Sequence, residues 1–436
     1  MFETRPTFAM AEWEEKRVPG VAPTPDDLAL SAGLSKNDRR LTVDWLLDGA
    51  RVRSTSWVGT ARFSSFEIQI QPKLAGGSLG VMTMLGYGSG LEALSILPTP
   101  QDYEAETQGL ADLWCLILSR EAERILIGGP EFDYVWQESA EPALRGRLML
   151  VEQIARHFGE VDRLECRFED YLSDILDNQL LLSGLRAGRA VAKYGDLSQR
   201  MARLGAALSE YSNPLRIDLE SAEQQLQYNR RNEHYRTAHA LSLLLLRNLH
   251  LRDLYSSGRA PAVAFLLDMN PLFERFATQL VKDAMTDQPI SVFPQRRTSS
   301  LIVNEATGGT YSRVIPDMLL TLKDGHSRLP VDAKYKLYDQ RSIDPADIYQ
   351  VFLYAYAFQT RGVSIPAAMI LYPSETTAAA GVRLRVQNIS GLQSARIITN
   401  PLPVPALLDR IRQRALMGSA ELADLRHSLL QAIAAA

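Results

Sequence analysis

The chain has 436 residues, 46% of them hydrophobic and 22% charged, with a formal net charge of −4. That composition fits an ordinary soluble protein with two or three domains and substantial buried cores. It excludes a general basic excess as the means of gripping duplex DNA, because phosphate neutralisation supplies most of that affinity; any DNA contact must be a local patch or be delegated to a partner.

The first residues, Met1-Phe2-Glu3-Thr4-Arg5-Pro6, lack the apolar core of a signal peptide, and no stretch is long and uncharged enough to cross a bilayer. A cytoplasmic location with no membrane contact is expected. Strand-like pieces at 51–58 and 65–71 alternate with Gly/Pro-rich connections such as Gly76-Gly77 and Pro98-Thr99-Pro100, which predicts a small β-rich domain over 1–102. Apolar residues then recur at three and four spacing over 109–127, 170–185, 187–208 and 235–254, predicting a helical connecting region over 103–255. Within it Cys115 and Cys166 have no CxxC or His-rich neighbourhood, so they read as free buried thiols of a reducing compartment, with no zinc site. His234 and His239, five apart, have the wrong spacing to share a metal on one helix face and read as surface residues.

The remainder, 256–436, carries the chemistry. Residues 265–276 read as a helix start, with Asn270 as N-cap, Pro271 at the first helical position and Glu274 one turn in. Glu274 is either a third acidic contributor to a site or an acid that complements the helix dipole. Arg296 and Arg297, in Gln295-Arg296-Arg297, are candidates for phosphate contact with DNA or a solvated loop pair. Val314–Leu320 and Pro330–Lys336 have the length and branched content of buried strands, and Lys323-Asp324-Gly325-His326 supplies a hairpin turn. Side chains alternate across a strand, so Asp332 and Lys334 share a face while Ala333 turns away. Antiparallel pairing sets Asp317 across from them.

Two carboxylates with carbonyl and water oxygens suit Mg²⁺, and Mn²⁺ accepts the same ligands. Asp317 and Asp332, with Glu274, are the expected metal ligands, and Lys334 orients or helps to deprotonate the attacking water. A solvated strand pair is the alternative for Asp332 and Lys334, but their apolar surroundings demand partners or a metal. Over 348–358 a helix puts Gln350 and Tyr354 on one face, Gln350 as an accessory or a surface amide and Tyr354 as core or catalytic. Helices at 406–416 and 420–434 close the chain.

This is the PD…(D/E)XK pattern, and the ordered segments 265–276, 315–320, 331–335 and 347–354 resemble McrC, the nuclease subunit of McrBC-type modification-dependent restriction systems. Upstream, Phe66-Glu67-Ile68-Gln69-Ile70-Gln71-Pro72-Lys73-Leu74 before a helix containing Met84-Leu85, then Leu144-Arg145-Gly146-Arg147 and Asp177-Asn178-Gln179-Leu180-Leu181, are similar to further positions of that family. The similarity spans about residues 60 to 375. It implies a restriction-endonuclease-like α/β/α core inside a mixed α/β protein, with Asp317, Asp332 and Lys334 as active-site residues and Glu274 and Gln350 as accessories. It also implies a separate McrB-like AAA+ GTPase ring that recognises and translocates methylated double-stranded DNA. This chain would dock on that ring through its N-terminal part, stimulate hydrolysis and cut the DNA. Lys73, Arg145 and Arg147 are then candidates for contact with the ring. The absence of a G-x-x-x-x-G-K-[ST] loop agrees, since motor activity must come from elsewhere. Two other readings are a non-cleaving adaptor that activates an NTPase, and a nuclease of another defence or repair system.

Overall fold

The computed structural model describes residues 5–36, 40–74, 76–90, 109–160, 162–193, 195–250, 262–295, 298–323, 327–338, 340, 342–359 and 365–434. The N-terminal part holds β1 (Thr7–Ala11), β2 (Glu15–Pro19), α1 (Pro25–Lys36), β3 (Leu41–Leu46), β4 (Gly49–Ser54), β5 (Trp57–Arg62), β6 (Glu67–Gln71) and α2 (Gly77–Ser89). Left-handed glycines, Gly76 and Gly90, bracket α2 at its two ends.

The middle holds α3 (Leu110–Gly128), β7 (Asp133–Glu141), β8 (Arg147–Leu148), α4 (Leu150–His157), β9 (Leu164–Leu172), α5 (Leu176–Val191), α6 (Gly195–Leu208), α7 (Leu219–Gln225) and α8 (Arg236–Asn248). Helices α3, α5, α6 and α8 bury Trp114, Leu181, Leu185, Met201 and Leu241 in one core. The expectation of a wholly helical connector is corrected here: β7, β9 and β8 form a separate antiparallel sheet. Strand β7 alternates between exposed and half-buried positions, so no apolar run announces it.

His239, expected at the surface, is wholly buried on α8, whereas His234 is exposed as expected. The Asp177 carbonyl, 3.0 Å from Nε2, can only accept, so Nε2 carries the proton and Nδ1 accepts from the Tyr228 hydroxyl at 3.1 Å. Burial holds this imidazole down to about 4, outweighing the Asp177 carbonyl. A histidine depressed below its unfolded 6.5 contributes stability that is complete above pH 6.5 and lost as pH falls toward 4. That gap corresponds to about 3 kcal/mol. Urea unfolding of wild type and His239→Gln at pH 7 and pH 4 tests this: the variant should lose markedly less stability on acidification, and equal losses would contradict it.

The C-terminal part begins after β10 (Leu249–His250) with β11 (Val263–Asp268) and continues through α9 (Met269–Ala284), β12 (Ile290–Pro294), β13 (Thr298–Val303), β14 (Thr310–Val314), β15 (Met318–Leu322), β16 (Arg328–Ala333) and α10 (Pro345–Ala357). It ends with β17 (Ala367–Ser374), β18 (Arg383–Gln387), β19 (Gln393–Pro403), α11 (Val404–Arg412) and α12 (Ala420–Ala434). One expected boundary shifts. Strand β11 was grouped with the 256–436 block, yet it pairs with β5 and completes the N-terminal sheet, ordered β1-β6-β5-β11-β10. Gly59 makes that pairing possible, since a Cβ there would meet the Phe265 carbonyl oxygen at 2.2 Å.

The site rests on a mixed six-stranded sheet, ordered β12-β15-β16-β17-β19-β18. Its central strand β17, paired parallel on both sides, is buried throughout and reads as an unbroken apolar run. Period-two alternation divides it: Ala368, Ile370 and Tyr372 pack with Val351 and Ala355 of α10, while Ala367, Met369 and Leu371 join the main core that includes α9 and α12. Helices therefore cover both faces. Asp344 caps α10 by accepting from the Ala346 N–H at 3.0 Å, with Pro345 in the first turn.

Candidate active site

Strands β15 and β16 pair antiparallel with Met318 opposite Val331, which brings Asp317 beside the Asp332 strand as expected. Residues 324–326 of the predicted turn lie outside the described residues. The Asp317 Oδ2 accepts from the Ala333 N–H at 2.7 Å. Leu329, Val331 and Ala333 face the main core, so Asp332 points to the α10 side of the sheet and is 1% exposed. Its Oδ2 forms an ion pair with the Lys334 Nζ at 2.9 Å, and among the described residues no backbone N–H donates to either Asp332 oxygen. The solvated-pair alternative for Asp332 is thereby removed.

Electrostatics follow from this burial. Desolvation, together with the Asp332 charge, pushes Asp317 up to about 7. Asp332 is also raised, by burial first, against the pull of Lys334. For Lys334, burial acts downward, yet Asp332, Asp317 and Asp347 outweigh it and leave the amine above its ordinary value. The site thus holds two carboxylates that resist carrying charge together and one firmly protonated amine.

Helix α10 adds a second charged group. Asp347, 6% exposed in its first turn, accepts from Lys336 Nζ at 2.6 Å and from the Tyr338 hydroxyl. Neither Asp347 nor Lys336 was singled out from sequence, although Lys336 continues the alternation of Asp332 and Lys334. Gln350 and Tyr354 share a face as expected: Gln350 Nε2 donates to Tyr354 Oη at 2.7 Å, and Tyr354 Oη donates to the Ile315 carbonyl at 3.1 Å. Tyr354 is 7% exposed and packs with Leu319 and Phe358, so it belongs to the core. Burial raises its hydroxyl, and the charges of Asp332 and Asp317 reach it.

Glu274 stands one contact further out. The N-cap of α9 is Asp268, which accepts from the Asn270 N–H at 3.0 Å, rather than Asn270 itself. Glu274 lies within the field of Asp317, but its Oε1 accepts from Gln295 Nε2 at 2.8 Å. Gln295 has φ +42°, and its N–H donates to the Asp317 carbonyl at 2.8 Å, so one residue links both acids. Among the described residues no three His, Cys, Asp or Glu side chains converge as a metal cluster. Arg296 and Arg297 lie outside the described residues.

The docking candidates occupy different elements. Lys73 follows β6 with its side chain exposed, and its backbone N–H donates to Glu12 Oε2 at 2.9 Å. Arg145 is already engaged, 2.8 Å from Asp170 Oδ1 and stacked 3.9 Å over the Phe168 ring. Arg147 is exposed, with no ion pair among the described residues. Gly146 between them has φ +67°, and a Cβ would meet the Arg167 carbonyl at 2.5 Å, so the turn requires glycine.

The adjoining helix α4 is amphipathic the wrong way round. Gln153 hydrogen-bonds the backbone of Arg163 and Glu165, and His157 and Arg156 contact the Glu165 carboxylate, so the polar face packs on β9. Leu150, Val151 and Ile154, with Phe158 just beyond the helix, form the outward face, Val151 76% and Phe158 84% exposed. A contiguous apolar stripe turned to solvent marks an interaction surface. It was missed in the sequence because an apolar stripe at helical spacing reads as core.

The free, buried state of Cys115 and Cys166 agrees with the sequence reading. Among the described residues no helix is long and apolar enough to cross a membrane.

The model of the family described as McrBC 5-methylcytosine restriction system component matches residues 52–373. The chain belongs to that family. Among solved structures it is similar to a chain of Thermococcus gammatolerans, described as the refined half-complex from a tetradecameric assembly of McrB AAA+ hexamers with bound McrC. That similarity has a TM-score of 0.56 and 17% identity, covering 94% of this chain and 99% of that one. At this identity it speaks for the fold of an McrBC component. The cryo-EM structure of the McrBC complex of the same organism also matches, with a TM-score of 0.42 and 19% identity over 64% of this chain and 88% of that one. No curated protein matches the chain.

Proposed function

We propose that this McrBC-family chain is the DNA-cutting subunit of a modification-dependent restriction complex, a Mg²⁺-dependent endodeoxyribonuclease docked on an McrB-like AAA+ GTPase ring. The observation that carries the reading is Asp332, a carboxylate 1% exposed, ion-paired to Lys334 at 2.9 Å and set beside a second buried acid, Asp317. Burying a carboxylate in that state is costly, and a divalent cation removes the cost. Two buried carboxylates side by side fit a hard cation that retains much of its water. The helix-covered sheet agrees with a restriction-endonuclease-like α/β/α core over the C-terminal part.

A bound Mg²⁺ ion would supply Lewis-acid stabilisation of the phosphate and a more acidic water. Asp317 and Asp332 would hold it; Mn²⁺ would serve as well. Glu274, tethered through Gln295, supports Asp317 from outside. Lys334, held protonated, orients the attacking water by hydrogen bonding and offsets charge building on the phosphate oxygens. Gln350 keeps Tyr354 against the Ile315 carbonyl, two residues before Asp317. Arg296 and Arg297 contact DNA phosphates on the same reading, and the location is cytoplasmic. A purely adaptor protein has no physical use for acids buried in this condition.

Docking is assigned to the outward face of α4 with Arg147. The McrB AAA+ hexamers with bound McrC give the class of partner, and an exposed apolar stripe suits a protein surface. The test is reconstitution with an McrB-like ring and assay of GTP hydrolysis and cleavage on methylated and unmethylated duplex. Stimulated hydrolysis and cleavage confined to methylated DNA support the reading. Stimulation with no cleavage of any DNA would replace it with the adaptor.

A further inference from the structure

Glu12, immediately after β1, is 1% exposed, and its carboxylate joins two parts of the chain 323 positions apart. Oε2 accepts from the Lys73 N–H at 2.9 Å and from the Tyr335 hydroxyl at 2.9 Å, while Oε1 is buried with no hydrogen-bond partner among the described residues. Burial pushes this acid up to about 7 against the Lys73 N–H, the Tyr335 hydroxyl and the Lys73 charge, and the nearby Asp268 raises it further. An under-satisfied buried carboxyl contributes little to stability, so its value must lie in what it positions.

Tyr335 is the residue after Lys334, and β16 ends at Ala333. Beyond that strand, the Lys334 N–H donates to the Leu371 carbonyl at 2.8 Å and its carbonyl accepts from the Lys336 N–H at 2.8 Å. The next anchor is Tyr335, whose ring packs 5.8 Å from Phe273, the neighbour of Glu274 on α9, and whose hydroxyl ends on Glu12. Tyr335 sits at the centre of the turn that the Lys336 N–H closes onto the Lys334 carbonyl, so fixing its ring in the core fixes the backbone that carries Lys334.

We infer that Glu12 is a positioning residue for the nuclease site: through Tyr335 it ties the N-terminal sheet and the Pro72-Lys73 turn to the end of β16 and sets where the Lys334 amine points. This rests on the reading of Asp317, Asp332 and Lys334 as the active site. It also gives the Pro72-Lys73 turn a role through its backbone, distinct from side-chain contact with a ring.

The experiment is single-turnover cleavage of duplex DNA by the ring-bound chain, comparing wild type, Glu12→Ala, Glu12→Gln, Tyr335→Phe and the double Glu12→Ala/Tyr335→Phe. Misplacement of an active-site amine by a fraction of an ångström should slow cleavage at saturating DNA about tenfold or more in Glu12→Ala and Tyr335→Phe. The DNA concentration for half-maximal rate and the stimulation of GTP hydrolysis should stay unchanged. The double variant should be no slower than the slower single, because both cut one link. Glu12→Gln should recover much of the rate, since its amide oxygen accepts both hydrogen bonds. Tyr335→Phe loses one oxygen atom only and carries the test should Glu12→Ala fold poorly. Wild-type cleavage matched by Tyr335→Phe, or losses that multiply in the double variant, would overturn the link alone. A wild type that cuts no DNA would overturn the active-site reading beneath it.

Discussion

Replacing Asp332 by asparagine is expected to reduce DNA cleavage by about a thousandfold or more while raising the melting temperature of the metal-free chain. Loss of activity follows because asparagine keeps the shape but offers one weak neutral oxygen where a hard cation needs anionic ones. The gain in stability follows from the electrostatics. Asp332 is raised above its ordinary value despite Lys334, so its charged form is disfavoured where it sits, and the neutral isostere removes the repulsion with Asp317. A purely structural acid would behave oppositely, with stability lost and any activity change secondary. Calorimetric melts with and without Mg²⁺, beside a cleavage assay, separate the two. A variant that cuts within a few-fold of wild type, or that melts below it without metal, would contradict the assignment.

The second large effect is expected at α4. Ile154→Asp should weaken retention of the AAA+ ring about a hundredfold, the scale of a central apolar hot spot, and leave the melting temperature unchanged. Ile154 is 60% exposed, and α4 has no buried residue, so the substitution removes nothing from the core. What it does is place a charge in the middle of the stripe formed by Leu150, Val151 and Phe158. Cleavage by the docked chain should fall with retention and recover when the ring is supplied in excess. Unchanged retention measured by co-purification or interferometry would move the docking surface elsewhere.

How much of this was legible in the sequence depended on the range of the interactions involved. The alternation through Asp332, Ala333 and Lys334 is a local property, and the structure follows it residue for residue. The shared face of Gln350 and Tyr354 needed only helical spacing. The cap of α9 fell on Asp268 rather than Asn270 because both side chains suit that position and β11 runs directly into the helix. The pairing of β11 with β5 joins residues about two hundred positions apart, and nothing within either strand names its partner. Glu12 was invisible for the same reason, as one acid in an N-terminal stretch without visible partners. His239 and α4 failed in opposite senses: a polar residue satisfied inside, and an apolar stripe left outside. Composition patterns report which residues are apolar, whereas burial is decided by what the rest of the chain brings against them.

The measurement that bears most directly on the central claim is cleavage of methylated duplex by the ring-bound chain, with Mg²⁺ and with EDTA, for wild type and Asp332→Asn side by side. Cutting by wild type with Mg²⁺ alone, and by neither protein with EDTA, is the expected result, with Asp332→Asn inactive in both conditions. Cutting that survives EDTA, or that Asp332→Asn performs as fast as wild type, would contradict it.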